Sequence, residues 1–183
     1  MNRHPKSPWE KSLLWGIPFI FAVGTALHYL YELTGKNILA ACIAPVNESV
    51  WEHTKMVCLP TVFWWGRCYK KHAHSLHRGR WMHGALAALA AAVGSMPAMY
   101  YLYTGVLGRH FLAVDISLLA LSAAIGQTVG AHVYKHGKEC KKPFTAMAVI
   151  AGIFAVMVFF TFHPPRLPLF RDGQTGLYGV GRG

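Results

Sequence analysis

The sequence predicts an all-α protein, a polytopic integral membrane helical bundle with five transmembrane helices, its N-terminus inside and its C-terminus outside. Hydrophobic residues make up 54% of the 183 residues and charged residues only 14%, whereas an ordinary soluble domain carries about 25% charge. The apolar residues form long runs, and most Lys and Arg residues lie in the gaps between those runs. This arrangement is typical of a chain that is solvated by lipid over most of its surface.

The same composition excludes three other classes of protein. A disordered chain needs low hydrophobicity, and four Cys residues in a chain of this length are too few for a disulfide framework. A nucleic-acid-binding domain gathers its positive charge on one face of a soluble fold, but here the formal net charge of +11 is divided among separate gaps. We therefore expect the lipid bilayer as the main partner and no nucleic acid.

The apolar runs place five spans in a single transmembrane domain over residues 1–183. A spanning helix needs about 20 mostly apolar residues. The spans are predicted at 13–33, 48–66, 82–103, 111–134 and 144–163, followed by a tail over 164–183. The second span is the most polar, because only residues 56–65 are continuously apolar. No cleavage pattern of small residues follows the first run, so we expect a retained helix.

The positive charges predict the orientation of these spans. Twelve of the eighteen Lys and Arg residues fall in three segments, which precede the first span, follow the second and follow the fourth. Short loops rich in Lys and Arg stay in the cytoplasm, where they meet anionic lipid head groups. The chain is thus expected in the cell (plasma) membrane as a multi-pass protein, with the tail outside.

Once the orientation is fixed, ionisable residues from four spans gather near the outer ends of the helices. His28 and Glu32 are four residues apart and share a face of the first span. Asp115 lies about one turn into the fourth span, on a stripe that continues through small residues. Because ionisable residues in a membrane are costly, they are functional candidates by default. The set consists of His28, Glu32, Glu48, Glu52, His53, Asp115 and His163.

Carboxylates together with imidazoles suit a divalent metal such as Zn, Mn or Fe. The candidate metal ligands are His28, Glu32, Glu48, Glu52 and His53, and the candidate catalytic groups are Glu52, His53 and Asp115. None of the spans carries the Glu-x-x-His or His-Glu-x-x-His spacing of known helical metal sites. Structural roles are the alternative, since Ser49 with Glu52 fits a capping box and Glu52 with Lys55 fits an ion pair.

Three functions remain open on these residues. The first is a membrane-embedded, metal-dependent enzyme that acts at the outer leaflet on a lipid-like substrate. The second is a proton- or ion-coupled transporter that uses the same carboxylates, and five spans would then require a homo-oligomer to form a pore. The third is a non-catalytic scaffold or accessory subunit, in which the polar residues clamp the helices together.

The tail has its own pattern. Pro164, Pro165 and Pro168 enforce an extended backbone, and Asp172 with Gly173 is typical of a turn. Apolar residues between these points predict that the tail lies back over the outer mouth of the bundle, either as a lid or as an interfacial anchor.

Three segments of the chain resemble an uncharacterised family of small bacterial multi-pass membrane proteins. They are HYLYE at 28–32, APVNESVWEH at 44–53 and HPPRLPLFRD at 163–172, of which the PVNESVWEH string is the most specific. The resemblance implies a polytopic helical fold and brings no activity. Where many relatives are expected to carry an aromatic residue, this tail reads His-Pro-Pro, which argues against a ligand role for His163.

A second resemblance is limited to residue types. The Asn/Glu/Ser/His segment at a helix start, the intramembrane Asp and the scattered His residues are similar to features of intramembrane zinc hydrolases of the alkaline ceramidase and progestin/adiponectin-receptor type. Those proteins have seven spans and spacings that this sequence lacks, so the analogy establishes no function.

Overall fold

The computed structural model describes residues 6–138 and 142–180, and its regular elements are helical. In chain order they are α1 (Pro8–Leu33), α2 (Ile38–Ile43), α3 (Val50–His53), α4 (Lys55–His72), α5 (Arg78–Leu107), α6 (Leu112–His136) and α7 (Pro143–Phe162). Single 3-10 turns follow α4 and α7. Arg3 and Lys141, which belong to the positively charged segments that predict the orientation, lie outside the described residues, as does Arg182 at the end of the tail.

Four of these helices, α1, α5, α6 and α7, are long and apolar enough to cross a membrane. The predicted first, third, fourth and fifth spans coincide with them to within a few residues. The helix α4 is not among the four, because Arg67, Lys70 and Lys71 in its second half lower its hydropathy.

The second predicted span, 48–66, is not one continuous helix. Residues 44–49 form a loop, α3 is a single turn, and α4 begins only after Thr54 and continues to His72. At the break, the Ser49 hydroxyl accepts a hydrogen bond from the Glu52 backbone N–H (3.3 Å), and the Thr54 hydroxyl donates to the Trp51 carbonyl (2.6 Å). These polar side chains satisfy backbone groups that a continuous helix would pair internally.

Small residues bring α5 and α6 into close contact. A Cβ atom added at Gly126 would lie 2.8 Å from the Ala88 carbonyl oxygen, and one at Gly130 would lie 2.6 Å from the Ala88 Cβ. The four-residue spacing of these glycines on α6 therefore forms a packing seam, as the sequence predicts. The seam extends to Trp65 of α4, whose ring lies 2.5 Å from the same Cβ position at Gly130.

Successive long helices run in opposite directions, so α1, α5 and α7 end where α4 and α6 begin. Three contacts define this end of the bundle: the His28 and His53 rings are 5.3 Å apart, Tyr103 donates a hydrogen bond to Asp115, and Thr161 donates to Glu52 at 3.0 Å. We call it the tail end, because the C-terminal tail packs there. The opposite end is filled by an aromatic cluster of Trp9, Trp65, Trp81 and Tyr134.

Candidate functional site

Two imidazoles and one carboxylate come together at the tail end. His28 lies in the last two turns of α1, Glu48 in the loop before α3, and His53 at the end of α3. The Nε2 atom of His28 is 3.6 Å from one Glu48 oxygen, and the Nε2 atom of His53 is 3.4 Å from the other. One ligand atom from each of the three side chains lies within 4.8 Å of the other two. We call this group the His28–Glu48–His53 cluster.

The backbone of the α3 turn fixes which nitrogen of His53 faces the cluster. The Nδ1 atom of His53 is 2.8 Å from the Ser49 carbonyl oxygen. A carbonyl oxygen only accepts hydrogen bonds, so Nδ1 carries a proton and the neutral ring keeps its lone pair on Nε2. That lone pair points towards the Glu48 carboxylate, which is also an acceptor. The contact is therefore favourable only with a proton or another cation between the two groups.

A short polar loop holds Glu48 in this position. The side-chain oxygen of Asn47 accepts a hydrogen bond from the Ser49 backbone N–H (2.9 Å), while its side-chain nitrogen donates to the Gly179 carbonyl oxygen in the tail (2.9 Å). The Glu48 carbonyl oxygen accepts a hydrogen bond from the Gly173 backbone N–H (3.3 Å). Hydrogen bonds thus fix Asn47 and Ser49, the two neighbours of Glu48 in the chain, and Asn47 also connects this loop to the tail.

The electrostatics of the cluster favour charge on both partners. The hydrogen bond with His53 lowers the pKa of Glu48 below its ordinary value, although burial acts in the opposite direction. Burial lowers the pKa of His53, but the hydrogen bond and the charge of Glu48, together with the Ser49 carbonyl, outweigh it and leave the pKa raised. The charge of Asp115 also raises the pKa of His53, so this more distant carboxylate belongs to the same electrostatic environment.

The cluster opens into a cavity of about 360 Å³. One wall comes from the end of α1, a second from the loop that carries Glu48, and the tail supplies the cover. The lining residues include His28, Tyr31, Glu32, Asn47, Glu48, Asp172, Gln174 and Gly179. A small molecule or lipid head group that entered this cavity would therefore meet His28 and Glu48 of the cluster directly.

The tail covers the cavity through specific contacts. Phe170 packs against Trp51 of α3, with ring centroids 4.8 Å apart. Asp172 accepts hydrogen bonds from the backbone N–H groups of Gln174 (2.7 Å) and Thr175 (3.1 Å), which fixes the predicted turn. These bonds outweigh the effect of burial and lower the pKa of Asp172, so its carboxylate stays ionised. The predicted return of the tail over the bundle is thus observed.

Glu52 belongs to a different network. Its carboxylate is 2% exposed and accepts from the Lys55 ammonium (2.7 Å), the Val46 backbone N–H (3.1 Å) and the Thr161 hydroxyl (3.0 Å). Lys55 also donates to the carbonyl oxygens of Ala41 (2.8 Å) and Ala44 (3.2 Å). With all of these contacts made, Glu52 joins α2, α3, α4 and α7, and its carboxylate has no free oxygen directed at His28 or Glu48.

The remaining predicted site residues lie around the cluster. Glu32 is exposed at the rim of the cavity and pairs with Lys36 at 3.7 Å. Asp115 accepts from Tyr103 and lies 3.3 Å from Nδ1 of His110, so it ties the start of α6 to the end of α5. His163 stacks on Phe159, with ring centroids 5.1 Å apart.

Sequence reasoning did not identify Asn47 and Asp172 as parts of the site. Asn47 directly precedes Glu48, but its bond to Gly179 depends on the tail, and Asp172 lies in the tail itself, which returns from the far end of the chain. The available signals were the Asp-Gly turn at 172–173 and the Asn-x-Ser string at 47–49, which are typical of side chains that bond to nearby backbone.

Comparisons with known proteins assign the chain to a family but indicate no activity. No curated protein and no solved structure matches the chain. One family model matches residues 1–180, which is nearly the whole chain. The protein therefore belongs to a family of unknown function, DUF6512.

Proposed function

We propose that this protein is a membrane-embedded, metal-dependent enzyme that acts at the outer leaflet of the plasma membrane on a lipid-like substrate. His28, Glu48 and His53 are the ligands of a divalent cation such as Zn²⁺. Two imidazoles and a carboxylate form a common ligand set of catalytic zinc, which keeps a further position open for water. Such a cation lowers the pKa of bound water to about 7 and so supplies a nucleophile at neutral pH.

The observation that carries this proposal is the contact between His53 and Glu48. The Nε2 atom of His53 lies 3.4 Å from one carboxylate oxygen of Glu48, and the Nε2 atom of His28 approaches the second oxygen of the same carboxylate at 3.6 Å. A divalent cation that takes the place of the proton between His53 and Glu48 would bind both imidazoles and the carboxylate at once. The Ser49 carbonyl that holds Nδ1 of His53 is the kind of outer partner that fixes the tautomer of a metal-bound histidine.

We extend the proposal to the membrane topology. The helix α4 is the fifth crossing, because it runs from the tail end at Lys55 to His72, which lies 2.9 Å from the Ser12 hydroxyl near the start of α1. Eighteen residues give a helix of about 27 Å, close to the thickness of the hydrocarbon core. The last turn of α4, with Lys70 and Lys71, then lies at the anionic head groups on the cytoplasmic side. Arg67 reaches the same depth by extending its long side chain, and the cluster faces outwards.

Zinc titration of chelator-treated protein tests the metal site. At a hundredfold excess of Zn²⁺ over its Kd, binding adds about 2.7 kcal/mol to the stability, and we expect the Tm to rise by about 5–10 °C. The variants His28→Ala, Glu48→Gln and His53→Ala should lose this rise. The matched control is Glu10→Gln, which removes a carboxylate at the opposite end and should keep it.

Activity is tested by incubating the zinc-loaded protein with a membrane lipid extract and following each lipid class by mass spectrometry. We expect one class to be consumed, and we expect the loss to stop with chelator or with Glu48→Gln. If zinc changes neither the Tm nor any lipid while the Glu52 network still governs stability, the protein is a non-catalytic scaffold and the proposal fails.

One observation favours an ion- or proton-coupled transporter as the second candidate. Thr61 of α4 and Ser122 and Gln127 of α6 are buried within the bundle, and their side chains have no hydrogen-bond partner among the described residues. Buried polar groups of this kind occur along ion pathways. Proteoliposomes that carry pH-dependent ion flux, abolished by Gln127→Leu, would favour this candidate over the enzyme.

A further inference from the structure

A second cavity adjoins the first on the other side of Glu48. Its volume is about 440 Å³, and Glu48, Asp172, Gln174 and Thr175 line both cavities. The new walls are Tyr100 and Tyr101, in the last two turns of α5, and Arg171 in the tail. A ligand in this second cavity would therefore lie beside Glu48, the residue that supplies the carboxylate of the His28–Glu48–His53 cluster.

Arg171 supplies the positive charge of this cavity, whose other charged lining residues are Glu48 and Asp172. The two oxygens of Glu48 face His28 and His53, and an oxygen of Asp172 accepts two backbone N–H groups of its own turn. Arg171 forms no ion pair with any carboxylate of the described residues. Arg171 is an exposed residue that lines the cavity, so the donors of its guanidinium are accessible to a ligand.

The tail hairpin holds Arg171 in place. Arg171 and Tyr178 form an antiparallel bridge, and the Asp172 backbone N–H donates to the Leu177 carbonyl oxygen (2.9 Å). Gly176 has a φ of 73°, and a Cβ there would lie 3.1 Å from a terminal nitrogen of Arg171. The glycine thus allows both the turn and the close approach of the guanidinium, and the hairpin fixes the backbone from which the Arg171 side chain extends.

We propose that the second cavity binds the phosphate group of the substrate, with Arg171 as the anchor. A guanidinium presents a planar set of donors that matches two phosphate oxygens, and tyrosines near the end of a spanning helix lie at head-group depth. The inference deepens the proposed function and rests on it, because a divalent cation at the cluster offsets the negative charge of Glu48 in the shared wall. It names the substrate class as a phosphate-bearing lipid.

Binding measurements on the purified, zinc-loaded protein test this inference. The probes are dioctanoyl phosphatidic acid, inorganic phosphate and dioctanoylglycerol, the last of which lacks the phosphate. We expect Arg171→Gln to weaken phosphatidic acid binding by about tenfold or more, since a charge-assisted hydrogen bond is lost. The control Arg166→Gln, a tail arginine that lines neither cavity, should bind as the wild type does.

The outcomes separate this inference from the proposed function. Equal binding of phosphatidic acid by Arg171→Gln and wild type, or equal binding of dioctanoylglycerol and phosphatidic acid, would overturn it even if zinc binds. Arg171-dependent binding of phosphatidic acid in the metal-free His53→Ala variant would uphold it, while the absence of zinc from the wild type would remove the proposed function. If inorganic phosphate binds as tightly as phosphatidic acid, the cavity recognises a phosphate group that comes from a soluble molecule, and the substrate class is then not a phosphate-bearing lipid.

Discussion

Glu48 and Glu52 are four residues apart, yet their carboxylates have opposite surroundings. Glu52 is buried and has a donor for each oxygen, one of which comes from Thr161, 109 residues away in the chain. Glu48 is half-buried and faces two imidazoles beside a cavity. Local spacing cannot separate these cases, because it does not indicate which long-range donor has already reached a carboxylate. Only the residue without such donors remains able to bind a ligand.

The Glu52 network predicts a large stability effect. Glu52→Gln leaves the Lys55 ammonium buried without its counter-charge, which typically costs about 3–5 kcal/mol. We therefore expect the Tm in detergent to fall by about 10 °C. Glu32→Gln removes a carboxylate from an exposed pair and should change the Tm by no more than about 1 °C. Similar Tm values for the two variants would contradict the structural role of Glu52.

The Glu48–His53 pair predicts a pH dependence in the metal-free protein. The pKa of Glu48 is lowered, so its contribution is present above 4.5 and is lost as the pH falls through the folded value. The pKa of His53 is raised, so its contribution is present below 6.5 and is lost as the pH rises through the folded value. The pair therefore stabilises the fold most between these two values.

The measurement for this pair is the Tm difference between the metal-free wild type and Glu48→Gln. Because both groups are partly exposed, we expect only about 2 °C in favour of the wild type at about pH 5.5 and almost no difference at about pH 9. A difference of the same size at both pH values would mean that the pair does not titrate as described.

Among the helices, α3 and α4 depart furthest from the predicted span. The apolar run at 56–65 correctly located a helix, but the polar residues before it form a capped turn and a loop. With this break His53 faces His28 of α1. A continuous helix that started at Glu48 would not by itself predict that contact. Hydrophobic periodicity detects the length of an apolar run and cannot detect a break whose hydrogen bonds are local and polar.

The approach of α1 to α4 predicts the effect of a single methyl group. A Cβ at Gly24 would lie 2.6 Å from the backbone oxygen of Met56, so Gly24→Ala must separate α1, which carries His28, from α4, which directly follows the turn that carries His53. We expect a Tm lowered by about 5 °C and a zinc affinity reduced by about tenfold. In Gly94→Ala nothing lies within 4 Å of the new methyl group, and both values should stay near those of the wild type.

At the scale of the whole molecule, composition was sufficient to predict an all-helical fold with several helices apolar enough to cross a membrane. The four helices able to cross a membrane follow from long apolar runs, and the small-residue stripe on α6 correctly predicted its packing seam. The antiparallel order of the helices brings His28 and His53 to the same end of the bundle, and this could be predicted from the sequence. The contact between the two rings could not be predicted in the same way. The cover formed by the tail depended on single bonds, such as that from Asn47 to Gly179.

The proposed five-span topology predicts which residues a membrane-impermeant maleimide reaches in intact cells. In a variant whose native cysteines are replaced by alanine, Thr34→Cys, which is exposed directly after α1, should be labelled from outside. Ser75→Cys, which lies after α4, should be labelled only after the membrane is permeabilised. Labelling of both positions from the same side would show that α4 does not cross and would contradict the assigned orientation.

The central claim is that the His28–Glu48–His53 cluster holds a divalent cation, and metal analysis of protein purified without chelators tests it most directly. We predict about one zinc per chain in the wild type and in Glu10→Gln, and less than about a tenth of that in folded His53→Ala and Glu48→Gln. Wild-type protein that is folded and free of metal, or variants that retain the full metal content, would contradict the account.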